Sequence, residues 1–219
     1  MSALRLAAKD LTLELREREL LDASLLGALA VVVVAGVAFA ALPERPERTA
    51  AVLWVGVVVA SLLPLARSFT GEADRGTMDV LLLLPVERGA VLFGKVLSNL
   101  ALTLAGALVV LAGYVGLFGA TPAVGWGLAA LLALGALGVS AAGSVLAAIA
   151  AQTRGREALL PVLLFPLLLP VLLSAVPGSI HALHGDAWPT YAGELQLLLG
   201  YDAVVLAATW LLSDAVLEG

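Results

Sequence analysis

The chain has 219 residues, 61% of them hydrophobic and only 13% charged, with a formal net charge of −5. A soluble domain carries roughly a quarter charged residues, so this composition excludes water as the main solvent and points to lipid. Cysteine is absent, which excludes disulfides and thiol chemistry, and two His and two Met leave few ligands for a protein-built metal or haem centre. Nothing in the charge pattern resembles a nucleic-acid surface.

In chain order, residues 1–22 form a mixed amphipathic segment. Leu4, Leu11 and Leu15 recur at helical spacing, with Arg5, Lys9, Arg16 and Glu19 mainly on other faces. The pattern predicts an interfacial helix in the headgroup plane, with a solvated helical extension as the alternative. Six apolar segments follow: Ala23–Leu42, Ala50–Ala66, Val96–Phe118, Ala123–Ala151, Ala158–Val176 and Leu195–Leu212. Each is near the ~20 residues that a helix needs to cross about 30 Å of hydrocarbon. The fold predicted is an all-α integral membrane protein of six transmembrane helices, a single transmembrane domain over 1–219. Ala38-Phe39-Ala40 imitates a signal-peptide cleavage site. The preceding segment is too long and too acidic for a signal n-region, so the first helix is read as uncleaved.

The basic residues orient the chain. With the N-terminus in the cytoplasm, Arg5, Lys9, Arg16, Arg18, Arg67, Arg75, Arg88, Lys95, Arg154 and Arg156 lie inside, and only Arg45 and Arg48 of the 12 Lys and Arg lie outside. The positive-inside rule therefore predicts both termini on the cytoplasmic side. The third segment carries Gly106, Gly113, Gly116 and Gly119. The fourth carries the ridge Ala136, Ser140, Ser144 and Ala148, with Gly135 and Gly143 beside it. Small residues let helices approach closely in lipid, either within one bundle or across a dimer. Pro161, Pro166 and Pro170 interrupt the fifth segment and predict a bent helix whose freed carbonyls need other donors.

Residues 67–95 are the polar island between the second and third segments. Glu72, Asp74, Arg75, Asp79, Glu87 and Arg88 are punctuated by Gly71, Gly76, Pro85 and Gly89. Thr70 and Thr77 are each placed to cap a short helix, with acids in the first turn behind them. Val80–Leu84 is too short to span and needs apolar cover. Pro85 ends that helix, and Gly89 and Lys95 mark re-entry into the membrane. Residue chemistry leaves two readings open, a docking element or a plain re-entry loop with a solvated charge cluster. No Walker loop, HExxH or hydrolase triad signature occurs, which predicts a non-catalytic chain; if it takes part in an energy-driven process, the nucleotide site lies on another chain.

Two further features stand apart. His181 and His184, at i and i+3 in the external loop expected over Pro177–Glu194, are weak candidates for a metal or haem iron, against a solvated loop with an interfacial Trp188. Asp202 is a candidate intramembrane polar site, placed roughly 10 Å below the outer end of the sixth segment by the rise of a helix.

Across Phe69–Lys95 the chain reads Phe-x-x-Glu-x-x-x-Gly-Thr-Met-Asp-x-Leu-x-Leu-x-Pro, ending in Gly94-Lys95. Its fifth segment is the proline-interrupted Leu159-Leu160-Pro161…Phe165-Pro166…Pro170 run. With its length and six segments, the chain resembles the CcmB family (haem exporter protein B), the membrane subunit of the ABC-type cytochrome c maturation complex. The Glu…Gly-Thr…Leu…Pro…Lys arrangement is shared more loosely by type-2 ABC exporters, and the proline-rich segment narrows the choice. The resemblance implies that Glu72, Asp74, Gly76, Thr77, Asp79, Leu83 and Pro85 form a coupling segment for the ATPase CcmA. It also implies CcmC, CcmD and the haem chaperone CcmE as partners. Haem would be handled by the complex and ATP by the partner subunit, with no cofactor assigned to this chain. Two alternatives remain: the permease of another type-2 exporter moving a lipid, glycan or drug, or a non-transporting membrane scaffold.

Overall fold

A computed structural model describes the backbone of residues 3–17, 19–39, 41–43, 45–74, 88–118, 125–151 and 156–218. Side chains are described within 3–15, 21–39, 41–43, 45–69, 89–118, 125–151 and 159–213. Among these residues the regular structure is all helical: α1 Ala3–Glu17, α2 Glu19–Phe39, α3 Pro46–Asp74, α4 Arg88–Phe118, α5 Trp126–Ala151, α6 Arg156–His184 and α7 Ala192–Glu218, with a 3₁₀ turn at Trp188–Tyr191. Helix is what an apolar run must form in hydrocarbon, because only there can each backbone N–H and C=O pair within its own segment. The six helices after α1 supply six spans, Leu21–Phe39, Pro46–Phe69, Gly89–Phe118, Trp126–Ala151, Leu159–His184 and Trp188–Ser213, long and apolar enough to cross a membrane. The six predicted segments are thus found, each with at least one end displaced.

Two of those displacements change the local picture. α3 starts at Pro46, whose missing donor costs nothing at a first helical position, and runs unbroken through Thr70 to Asp74. Thr70 therefore lies inside a helix and does not begin one. Once nucleated, a helix gains a hydrogen bond per added residue, and the buried Phe69 anchors this turn. α6 likewise passes through Pro177 to His184, so His181 and His184 sit on its last turn and not in a loop. It ends where Gly185 adopts φ 80°. The Gly185 N–H donates to Ala182 O at 3.2 Å and the Asp186 N–H to His181 O at 3.1 Å, the paired bonds that close a helix with a left-handed residue.

α5 is the hub, packed against α3, α4, α6 and α7, and most of its core is buried. Ala136, Ser140, Ser144 and Ala148 are all buried within this one chain. The absent side chain of Gly135 makes room for the Trp54 indole, and that of Gly143 for Leu65. On α4, a Cβ at Gly106 would stand 2.5 Å from the Ala60 methyl of α3. Gly106, Gly113, Gly135 and Gly143 thus serve close approach inside one bundle, the first of the two readings, whereas nothing lies within 4 Å of the Cβ position of Gly116. Trp54 is also held by its indole N–H, which donates to Ser179 Oγ at 3.0 Å. In the proline-interrupted helix α6, hydroxyls bond backbone carbonyls. Ser174 donates to Pro170 O at 3.0 Å, and Tyr201 of α7 donates to Leu167 O at 2.7 Å.

α1 does not stand off as a solvated extension. It packs along α4 through Leu6 and Ala7, which are buried, and Gly94 of α4 admits the Leu6 side chain. The leucine stripe singled out by spacing faces elsewhere: Leu4 and Leu15 are 71% and 60% exposed. A helix clipped to the bundle on one face and apolar on another suits the headgroup boundary.

Candidate functional site

Of the predicted coupling residues, Glu72 and Asp74 lie on the last turn of α3, where the backbone alone is described. Gly76, Thr77, Asp79, Leu83 and Pro85 lie outside the described residues. The side chains on either side of this segment are described, and they converge. Phe69, the last before it, is 1% exposed, and the Lys95 ammonium lies 5.7 Å from the Phe69 ring centroid. Lys95 itself is 7% exposed and sits 3.0 Å from Asp10 Oδ2 of α1. Gly89, at the start of α4, approaches Ser213 and Trp210 of α7, each 3.7 Å from where its Cβ would be. The entry and exit of the polar segment are therefore joined to each other, to α1 and to α7.

The chemistry of this junction follows from burial. An ammonium at the edge of an apolar helix is costly to bury in hydrocarbon, and an acid and an aromatic face offset that cost. Asp10 and Phe69 supply them. Lys95 therefore does more than mark re-entry; it links three helices. From Lys95 a polar strip climbs α4 at four-residue spacing. Asn99 Nδ2 donates to Ser144 Oγ at 2.9 Å and to Ser68 Oγ at 3.2 Å, and Ser140 Oγ donates to Thr103 Oγ1 at 3.4 Å. These bonds tie α3, α4 and α5 at successive depths, and buried polar groups so satisfied specify one packing of the bundle.

Asp10 and Asn99 were missed by sequence reasoning. A signal for each existed. Lys95 has no acid on its own buried face, so its counter-charge had to come from another element, and Asp10 follows Leu6 and Ala7 at helical spacing. Asn99 lies one turn above Lys95 on the same face.

Asp202 lies ten residues into α7, ~15 Å from its start at 1.5 Å per residue, deeper than the expected ~10 Å because α7 begins earlier. It is 3% exposed, and neither carboxyl oxygen has a hydrogen-bond partner among the described residues. Gly138 of α5 gives it space, its Cβ position lying 2.8 Å from Asp202 Oδ1 and 3.1 Å from Val171 of α6. Gly138, Val171 and Asp202 each lie near the middle of their spans. Asp202→Asn keeps this shape without an ionisable group and is expected to accumulate in the membrane at or above the parent level. Asp202→Arg is expected to fail, because the pocket is sized by a glycine and closed to water. Quantitative membrane immunoblotting checks both.

His181 Nδ1 lies 2.7 Å from Asp186 Oδ2, so the ring N–H donates to the carboxylate, and His184 is exposed. The two imidazoles are thus engaged differently. Among the described residues no group of three or more His, Asp or Glu is placed to hold a metal ion.

Six apolar helices, four of them packed on the central α5, with a polar segment at one end tied into three of the six, define a multi-pass membrane subunit. A family profile described as CcmB protein matches residues 1–218, and the chain belongs to the CcmB family. Comparison with curated proteins finds no match. Membership makes the chain a membrane component of the haem-exporter ABC system of cytochrome c maturation, which works with an ATPase partner.

Proposed function

We propose that residues 67–95 dock a CcmA-type ATPase and that the chain carries nucleotide-driven movement from that segment into the bundle. The observation that carries this reading is the junction of Phe69, Lys95 and Asp10, which ties both sides of the segment to α1 and α4. A displacement entering there moves α3, α4 and α1 together, because a shift of α1 or α4 disturbs the Lys95–Asp10 pair and a shift of α3 disturbs the Phe69 contact with Lys95. The docking surface is Glu72, Asp74, Gly76, Thr77, Asp79, Leu83 and Pro85. It faces the cytoplasm of a bacterial inner membrane, with both termini on the same side, as the distribution of Lys and Arg supports.

In this reading the chain is not an enzyme: ATP binds the partner, and haem is handled by CcmC and the chaperone CcmE, with CcmD in the same assembly. Force transmission that releases loaded CcmE is favoured over passage of haem through this chain. The buried junction of Phe69, Lys95 and Asp10 supports transmission. The test is co-expression with a CcmA-type ATPase. Joint substitution of Glu72, Asp79 and Leu83 by Ala is expected to reduce co-purification at least tenfold and to abolish ATPase stimulation. Undiminished association removes the docking assignment.

A further inference from the structure

At the end of the bundle opposite the polar segment, a cleft of about 390 Å³ opens between α2, the turn after it, the start of α3 and the end of α4. That volume is within the range of ligand sites, about 300–1,000 Å³. The cleft arises because the seam between α2 and α4 loosens along its length. At Gly113 a Cβ would meet Leu29 at 3.2 Å, whereas the Cβ position of Gly36, further out, has only Leu117 at 3.8 Å and Phe118 at 4.0 Å near it. The inner wall is aromatic, with Tyr114 and Phe118 stacked at 4.4 Å between centroids.

Two observations name the occupant. The cleft is open sideways to the hydrocarbon, for the lining residues Val37 and Leu117 are 78% and 58% exposed. Whatever fills it therefore arrives from the membrane and is apolar along its length. At the polar end stands Arg48, whose guanidinium lies 5.4 Å from the Phe39 ring centroid and donates to the Pro43 carbonyl. These contacts hold a cation with five N–H donors at the boundary of hydrocarbon and headgroups. An apolar slot ending in a positioned arginine is complementary to an acyl chain ending in a phosphate.

We propose that this cleft holds one phospholipid of the surrounding leaflet, an acyl chain between α2 and α4 and the phosphate on Arg48. The full chain, purified in detergent and titrated with phosphatidylglycerol or with diacylglycerol, is read by native mass spectrometry. One phosphatidylglycerol is expected to bind, and diacylglycerol at least tenfold more weakly. Arg48→Gln is expected to weaken phosphatidylglycerol about tenfold, roughly what one charged hydrogen bond supplies, and to leave diacylglycerol unchanged. Gly36→Leu, which fills the slot and keeps the charge, is expected to abolish both; a monodisperse elution profile checks that it folds. The proposal is overturned by equal binding of the two lipids, by an Arg48→Gln protein with parental affinity, or by one-for-one displacement of the phospholipid by inorganic phosphate or haem.

Discussion

Lys95→Met is expected to detach α1 from the bundle and to uncouple the chain from its ATPase more severely than it weakens their binding. Removing one partner of a buried ion pair costs about 3 kcal/mol, and in the Lys95 variant Lys9, whose Nζ lies 3.6 Å from Asp10 Oδ1, offsets part of that loss. The side chains of Lys95 and Asp10 are only 9% and 17% exposed, so solvent screens little of that loss. Asp10→Asn is expected to cost a similar amount. The double variant is expected to cost less than the sum of the two, because both single changes remove the same interaction. Thermal unfolding followed by tryptophan fluorescence gives the cycle, and limited proteolysis within α1 reports its release. Single-variant costs below about 1 kcal/mol, the range of exposed pairs, would show that the pair does not hold α1. ATPase stimulation falling while co-purification persists would separate transmission from docking, two roles that the triple substitution at Glu72, Asp79 and Leu83 removes together.

Gly135→Leu is expected to be the most damaging single change in the membrane core. The Trp54 indole occupies the place where the new Cβ would stand. It cannot simply rotate away, since Trp54 is 1% exposed and its N–H is bound to Ser179. The substitution must push α3 away from α5 or expel the ring. Overpacking of this kind costs typically 1–3 kcal/mol and sometimes more, and the orphaned indole N–H adds about 1 kcal/mol. Loss of monodisperse protein on size exclusion, with Gly135→Ala intermediate, is the expected outcome. A parental profile for the Leu variant would mean that the α3–α5 contact is not tight.

How much of this was legible beforehand differs by feature. The six spans were, since an uninterrupted apolar run has no alternative to helix in lipid. Their ends were less so. The reach of α3 past Thr70 and of α6 past Pro177 depends on what those last turns pack against and how they are capped. The paired bonds around Gly185 exist only in three dimensions. The glycine and serine ridges announced close packing, but Trp54 and Leu65 as their occupants were not recoverable from spacing, because either lies on a different helix at an unpredictable height. The face by which α1 grips α4, through Leu6 and Ala7, was not legible for a related reason. Leucine periodicity identifies an apolar stripe, and lipid and protein satisfy such a stripe equally well.

By itself the sequence determined the solvent, the class and the family: composition demanded a bilayer, the apolar runs counted its crossings, and the polar island at 67–95 with the proline-rich fifth segment pointed to CcmB. Tertiary structure alone decided which charges meet. Lys95 finds Asp10 across 85 positions of chain, Asn99 joins Ser68 to Ser144, and Asp202 lies against Gly138 without a partner among the described residues. The physical reason is that burial in hydrocarbon is a property of each segment taken singly. Pairing depends on the relative heights and rotations of helices, and those are settled only when side chains interlock.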